Sequence, residues 1–149
     1  MREASLRGKF PSLADSHLRI TSPADWRYTC IAYAAGDVDR VWNPDLWPGG
    51  LYYWPTGVPR EDTLAGWTAA FESIGYRACE TRGVESGVDR VAIYTDAQGT
   101  PHHVARQLAN GFWSSKIGTI EDIEHELAGL EGESYGRVAL VLCRKAEKT

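Results

Sequence analysis

Apolar residues recur along the chain with two different periods, and the change of period divides it. The first helical pattern ends in the segment ITSPADWRYTCIAYAAG, residues 20–36. Ser22 or Asp25 can cap it, Pro23 suits a first turn, and Gly36 is a stop after the Ala-rich run. This predicts a short helix with Cys30 in its early part. Leu64, Trp67, Phe71 and Ile74 then recur at helical spacing before Gly75, which predicts a second helix over residues 62–74. Between the two helices, residues 37–61 carry four prolines and three Trp and predict an ordered, irregular loop.

From Tyr76 the period drops to two. Residues 76–80 predict a weak strand, Val88–Thr95 a stronger one centred on VAIY, and residues 103–109 and 112–118 two strands flanking Asn110-Gly111. The segment TIEDIEHELAGL from Thr119 predicts a helix with acidic residues in its first turn. RVALVLCR, residues 137–144, predicts a buried central strand. Residues 1–19 are polar and mixed and predict a loosely packed lead-in. Helices followed by a mostly antiparallel sheet make an α+β domain, one unit over residues 1–149.

The 149 residues are 43% hydrophobic and 24% charged, with 15 Gly and 7 Pro, the make-up of an ordinary globular chain. A net charge of −4 without a long basic run argues against nucleic acid as a partner. The longest uncharged stretch, residues 46–58, is broken by Pro48, Gly49, Gly50 and Pro55, so no membrane span is expected. The start, MREASLRGKF, lacks the apolar segment of a secretory signal, and the expected location is cytoplasmic. Cys30, Cys79 and Cys143 form no CxxC pair, and only His102–His103 are adjacent. Neither a disulfide framework nor a metal site is expected, and no cofactor.

Two residues stand out as chemistry. Cys30 at a helix start lies where oriented amides favour the thiolate; the plain alternative is a small apolar residue in an Ala-rich helix. Cys79 and Cys143 fall on predicted strands and read as core. His103 opens a strand after a turn, which places its ring at a sheet edge, and His102 points the other way. A two-residue turn at Asn110-Gly111 pairs Gln107 with Ser114 and Ala105 with Lys116. That register sets His103, Ala105, Gln107, Ser114, Lys116 and Gly118 on one face, and Val104, Leu108, Trp113 and Ile117 on the other. Trp42, Trp47, Tyr52, Tyr53 and Trp54, held by Pro and Gly in the loop, suit a binding surface for a peptide or sugar. The alternative is a lid that seals a small core.

Helix-borne Cys, a strand, then a His opening the next strand is an order that resembles papain-like cysteine hydrolases, nearest to their compact NlpC-type bacterial branch. The likeness is carried by TCIAYAAG, VAIY and HVARQLANG, over roughly residues 22–118. The whole chain also resembles a bacterial family of unknown function through YTCIAYAAG, YYWPTGVPRE, HVARQLANGFWSSKIG and EDIEH. The first resemblance implies a papain-like fold and a hydrolase or acyl transferase acting on an amide or thioester, of peptidase, amidase or deamidase type. It implies Cys30 as nucleophile and His103 as general base. The third member would come from the next strand, where Ser114 is the preferred orienter of the imidazole and Lys116 shares its face, with Ser115 behind. None of these is the Asp, Asn or His usual in those enzymes. Glu121, Asp122 and His125 are rival orienters, Gln107 is a pocket candidate, and Tyr28 could line the oxyanion site. Substrate capture would fall to Trp42, Tyr53 and Trp54. The alternative is a catalytically inactive module on the same scaffold that binds a peptide or protein partner through the aromatic loop.

Overall fold

The computed structural model describes residues 2–13, 16–22, 30–36, 42, 53–117 and 122–145. Helix α1 spans Arg2–Lys9, strand β1 Leu18–Ser22, helix α2 Cys30–Ala35 and helix α3 Leu64–Glu72. Strands β2 (Arg77–Ala78), β3 (Val88–Thr95), β4 (Pro101–Gln107), β5 (Trp113–Lys116), β6 (Asp122–His125) and β7 (Arg137–Lys145) follow. The seven strands form one sheet in the order β1-β6-β5-β4-β3-β7-β2, and every pairing is antiparallel. The α+β expectation holds.

Alternation along the strands divides the apolar side chains between two cores, one on each face. Val91, Ile93, Val104 and Leu142 point toward α2 and α3 and pack with Ile31, Trp67 and Phe71. Ala92, Tyr94, Ala105 and Val141 point the opposite way, onto Leu6, Phe10, Leu13, Trp113, Ile117 and Ile123. The N-terminal segment expected to be loose is therefore a layer of the structure: Leu6, Phe10 and Leu13 are buried by the sheet. Polar composition had hidden these three residues.

Helix α3 forms as its pattern predicts. Thr63 caps it by accepting from the Gly66 amide at 3.0 Å, and Trp67 and Phe71 face the core. Strand β7 pairs with β3 from Arg137 to Lys145 and with β2 beyond it, so it is an inner strand, buried most deeply at Val141 and Leu142.

Three expectations are corrected. In the segment expected to hold the early helix, Leu18–Ser22 is strand, residues 23–29 lie outside the described residues, and Cys30–Ala35 is helix. The segment expected as a helix from Thr119 contains β6, followed by a 3-10 turn at Leu127–Leu130. In DIEH, Ile123 and His125 point to one core while Asp122 and Glu124 point to the other face, and both faces are covered. Strand pairing on two sides, with β1 and β5, prevails over helical propensity.

The third correction is one residue of register. Leu108 and Phe112 close a three-residue loop, the Leu108 amide donating to Phe112 O at 2.8 Å, and Asn110 Oδ1 accepts from the Phe112 amide. Gly111 takes φ +89°, the left-handed residue that ends such a loop. Gln107 thus pairs with Trp113 and Arg106 with Ser114, instead of Gln107 with Ser114. A one-residue slip transfers every side chain of β5 to the other face.

Candidate functional site

The expected catalytic group is not assembled. Cys30 opens α2 and packs into the core that contains Val104, so its thiol lies on the α2 face of the sheet. Burial pushes that thiol up to about 11, against the smaller opposing effect of the Val104, Ile31 and Cys30 amides. It is a protonated thiol at neutral pH. His103, the neighbour of Val104, points to the opposite face. There it stacks on Tyr135 with ring centroids 4.2 Å apart and planes 1° from parallel, and lies 5.5 Å from the Tyr94 ring. It is 0% exposed, and neither ring nitrogen has a hydrogen-bond partner. Burial holds the imidazole well below its ordinary range, with nearby His125 adding to the effect. The sheet itself stands between thiol and imidazole.

The register slip disposes of the remaining members. Ser114, expected to orient His103, points to the α2 face, where Tyr33 Oη lies 2.6 Å from its Oγ. Lys116 is on that face too, fully buried, with Asp122 directly opposite and their charges 3.9 Å apart. Ser115 takes the His103 face in place of Ser114, and its Oγ meets His125 Nε2 at 2.7 Å. His125 Nδ1 lies 2.7 Å from Glu126 O. A carbonyl only accepts, so Nδ1 carries the proton and Nε2 accepts from the Ser115 hydroxyl. Burial lowers His125 to about 4. A serine donating to an anchored imidazole has the bonding of a hydrolytic pair, yet both residues are 0% exposed and no substrate reaches them. It is a structural bond. Register alone would have revealed it.

The aromatic loop is corrected as well. Trp42 and Trp54 are each 4% exposed and belong to the core beside α3, and Trp54 Nε1 donates to Pro59 O at 3.0 Å. Tyr53 is half-buried, its ring 5.1 Å from that of Trp42. These three seal the core rather than offer a surface. Tyr28, Trp47, Tyr52 and Glu121 lie outside the described residues.

Polar residues do converge elsewhere. The segment before β3 and the end of β4 enclose a cleft of about 490 Å³, lined among others by Glu85, Asp89, Arg106 and Gln107. Gln107 spends its Nε2 on Arg82 O at 2.6 Å, and its buried Oε1 has no partner. At the β1–β6 edge, His17, Arg19 and Asn110 surround the Glu124 carboxylate and hold it down to about 2. That cluster is fully paired. Among the described residues no group of three His, Cys, Asp or Glu could hold a metal ion. Among the same residues no helix is long and apolar enough to cross a membrane.

Fold and cleft define an α+β domain built on an antiparallel sheet, with a polar cleft between the segment before β3 and the end of β4. Residues 19–143 match the family described as Domain of unknown function (DUF7689), and the chain belongs to that family. No curated protein and no solved structure matches it.

Proposed function

We propose that this domain is a non-catalytic binding module that receives a peptide segment in the cleft between residues 84–89 and 106–109. The observation that carries the reading is the unpartnered side-chain carbonyl of Gln107, a residue that lines the cleft, which a turn of the side chain would bring to a ligand N–H. An acceptor left in that state costs about 1–3 kcal/mol, which a ligand N–H restores. A volume of about 490 Å³ suits a few residues of peptide, whose backbone presents N–H donors. Arg106 with Glu85 and Asp89 supplies both charge signs to orient it. This keeps the partner class inferred from sequence and moves the contact surface away from the aromatic loop.

The likeness to papain-like hydrolases rests on the order of the Cys-bearing helix and the His-bearing strand. Acyl transfer through Cys30 needs its thiolate in contact with a base. With the sheet between Cys30 and His103, that contact has no support, and hydrolysis is not the reading we favour.

Titrating the full chain with a panel of short N-acetylated peptide amides, followed by amide NMR shifts, tests the proposal. Shifts should map to residues 84–89 and 106–109, and Gln107→Leu should weaken binding about tenfold, the loss of one buried hydrogen bond. Shifts confined to other surfaces, or no binding by any peptide at millimolar concentration, would overturn it. Amide or thioester turnover that Cys30→Ala abolishes would restore the hydrolase.

A further inference from the structure

Cys79 and Cys143, which sequence assigns to the core as separate residues, share one end of one sheet face. The Cys79 amide donates to Val141 O at 3.0 Å, directly after β2 has paired Arg77 with Cys143 and Ala78 with Leu142. Cys79 therefore continues the ladder opposite Val141, and Cys143 is its diagonal neighbour two residues on. Both cysteines are free and only partly buried, and their thiols interact. On the other flank of β7, Arg90 of β3 stands directly opposite Cys143.

The Arg90 side chain is 1% exposed and reaches across this end of the sheet. Its Nε donates to Thr81 O at 3.0 Å, and its Nη2 donates to Thr81 Oγ1 at 2.8 Å and to the Glu85 carboxylate. The Cys79 thiol approaches the same Thr81 carbonyl at 3.7 Å, which brings sulfur and guanidinium together. Arg90 Nη1 has no partner. A buried cationic donor without a partner, on a guanidinium that shares the Thr81 carbonyl with this sulfur, is placed to hold the sulfur when it carries negative charge.

We propose that Cys79 and Cys143 are a redox-active dithiol, with Cys79 the attacking thiolate held by Arg90 and Cys143 the resolving thiol, reacting with small-molecule disulfides. The Cys79 thiol loses its proton to solvent, and its sulfur attacks one sulfur of the reagent. An S–S bond forms, the reagent S–S bond breaks, and the departing thiolate takes up a proton. Cys143 then loses its proton and attacks the Cys79 sulfur of the mixed disulfide, expelling the second thiol. Two protein thiols are oxidised to one disulfide, and the reagent disulfide is reduced to two thiols.

The division of roles follows from surroundings. Burial and then the Cys79 sulfur push the Cys143 thiol up to about 11 against the smaller opposing effect of Arg90, so it enters second, while Cys79 shares the Thr81 carbonyl with the guanidinium. Diagonal neighbours in an antiparallel pair have Cα atoms about 7–8 Å apart, and a disulfide needs about 4.4–6.8 Å. The backbone must close by about 1 Å. Strand β2 has two residues and lies at the sheet edge, so Cys79 is placed where that movement is easiest.

The folded full chain is incubated in buffers of graded oxidised-to-reduced glutathione ratio, alkylated, and mapped as peptides without reduction. A Cys79–Cys143 cross-link is expected, with Cys30 unlinked. Cys143→Ser should accumulate glutathione on Cys79 several-fold faster at pH 7 than Cys79→Ser accumulates it on Cys143, because Cys79 shares the Thr81 carbonyl with the guanidinium while burial raises the Cys143 thiol. Wild type supplies the cross-link reading on its own if either variant fails to fold. A cross-link only in denaturant, glutathionylation without cross-linking, or equal rates in the two variants would overturn the proposal.

Discussion

Acidification from pH 7.5 to 5 should destabilise this domain through two imidazoles that have no room for a proton. His103 and His125 are both 0% exposed and burial holds both below the ordinary histidine range, His125 at about 4. The unfolded chain takes up a proton on each near pH 6.5, while the folded chain does not until far lower, so stability falls as pH falls through this window. With an unfolded value near 6.5, His125 alone removes about 2 kcal/mol between pH 7.5 and 5, and His103 adds a loss of the same sign. That is a large part of the roughly 5–15 kcal/mol typical of a domain. Glu124 and Asp96 are lowered, and their contributions are lost only as acid goes below about pH 4, outside the window. Urea unfolding followed by Trp fluorescence at pH 7.5, 6 and 5 measures the slope. His103→Phe keeps a flat ring between Tyr94 and Tyr135 and removes two unpartnered nitrogens, so it should fold as stably as wild type at pH 7.5 or better. It should also show a shallower loss of stability between pH 7.5 and 5 than wild type. A variant with the full wild-type slope would show that His103 titrates freely in the folded state, and the burial argument would be lost.

Cys30 should react with iodoacetamide at pH 7.5 far more slowly than a model thiol, because burial pushes its thiol up to about 11; labelling at the model rate in native protein would contradict this. Trp54→Ala should cost about 3–5 kcal/mol in urea titration, as removal of a core ring does, and a near-neutral effect would mean that the loop is a surface after all. Gly136→Ala should destabilise by at least about 2 kcal/mol more than Gly111→Ala. Both glycines have positive φ, but a Cβ at Gly136 would stand 1.8 Å from Thr95 O while one at Gly111 meets nothing. Equal thermal shifts for the two would refute the steric account.

What local pattern could decide, it decided. Helix α3, strand β3 at its full length, the position of a turn at Asn110-Gly111 and the α+β class were legible because each rests on neighbours a few residues apart. Which residues would meet depended on quantities that spacing does not carry. One residue in the β4–β5 loop exchanged Ser114 for Ser115 on the His103 face, since side chains in a strand alternate with period two. The face on which α2 docked placed Cys30 over Val104 and left His103 behind the sheet, although two strand neighbours are adjacent in sequence. Partners on both sides turned DIEH from a predicted helix into β6, because two hydrogen-bonded ladders outweigh a weak local preference. The meeting of Cys79, Cys143 and Arg90 joins residues up to 64 positions apart, and only sheet order brought them together.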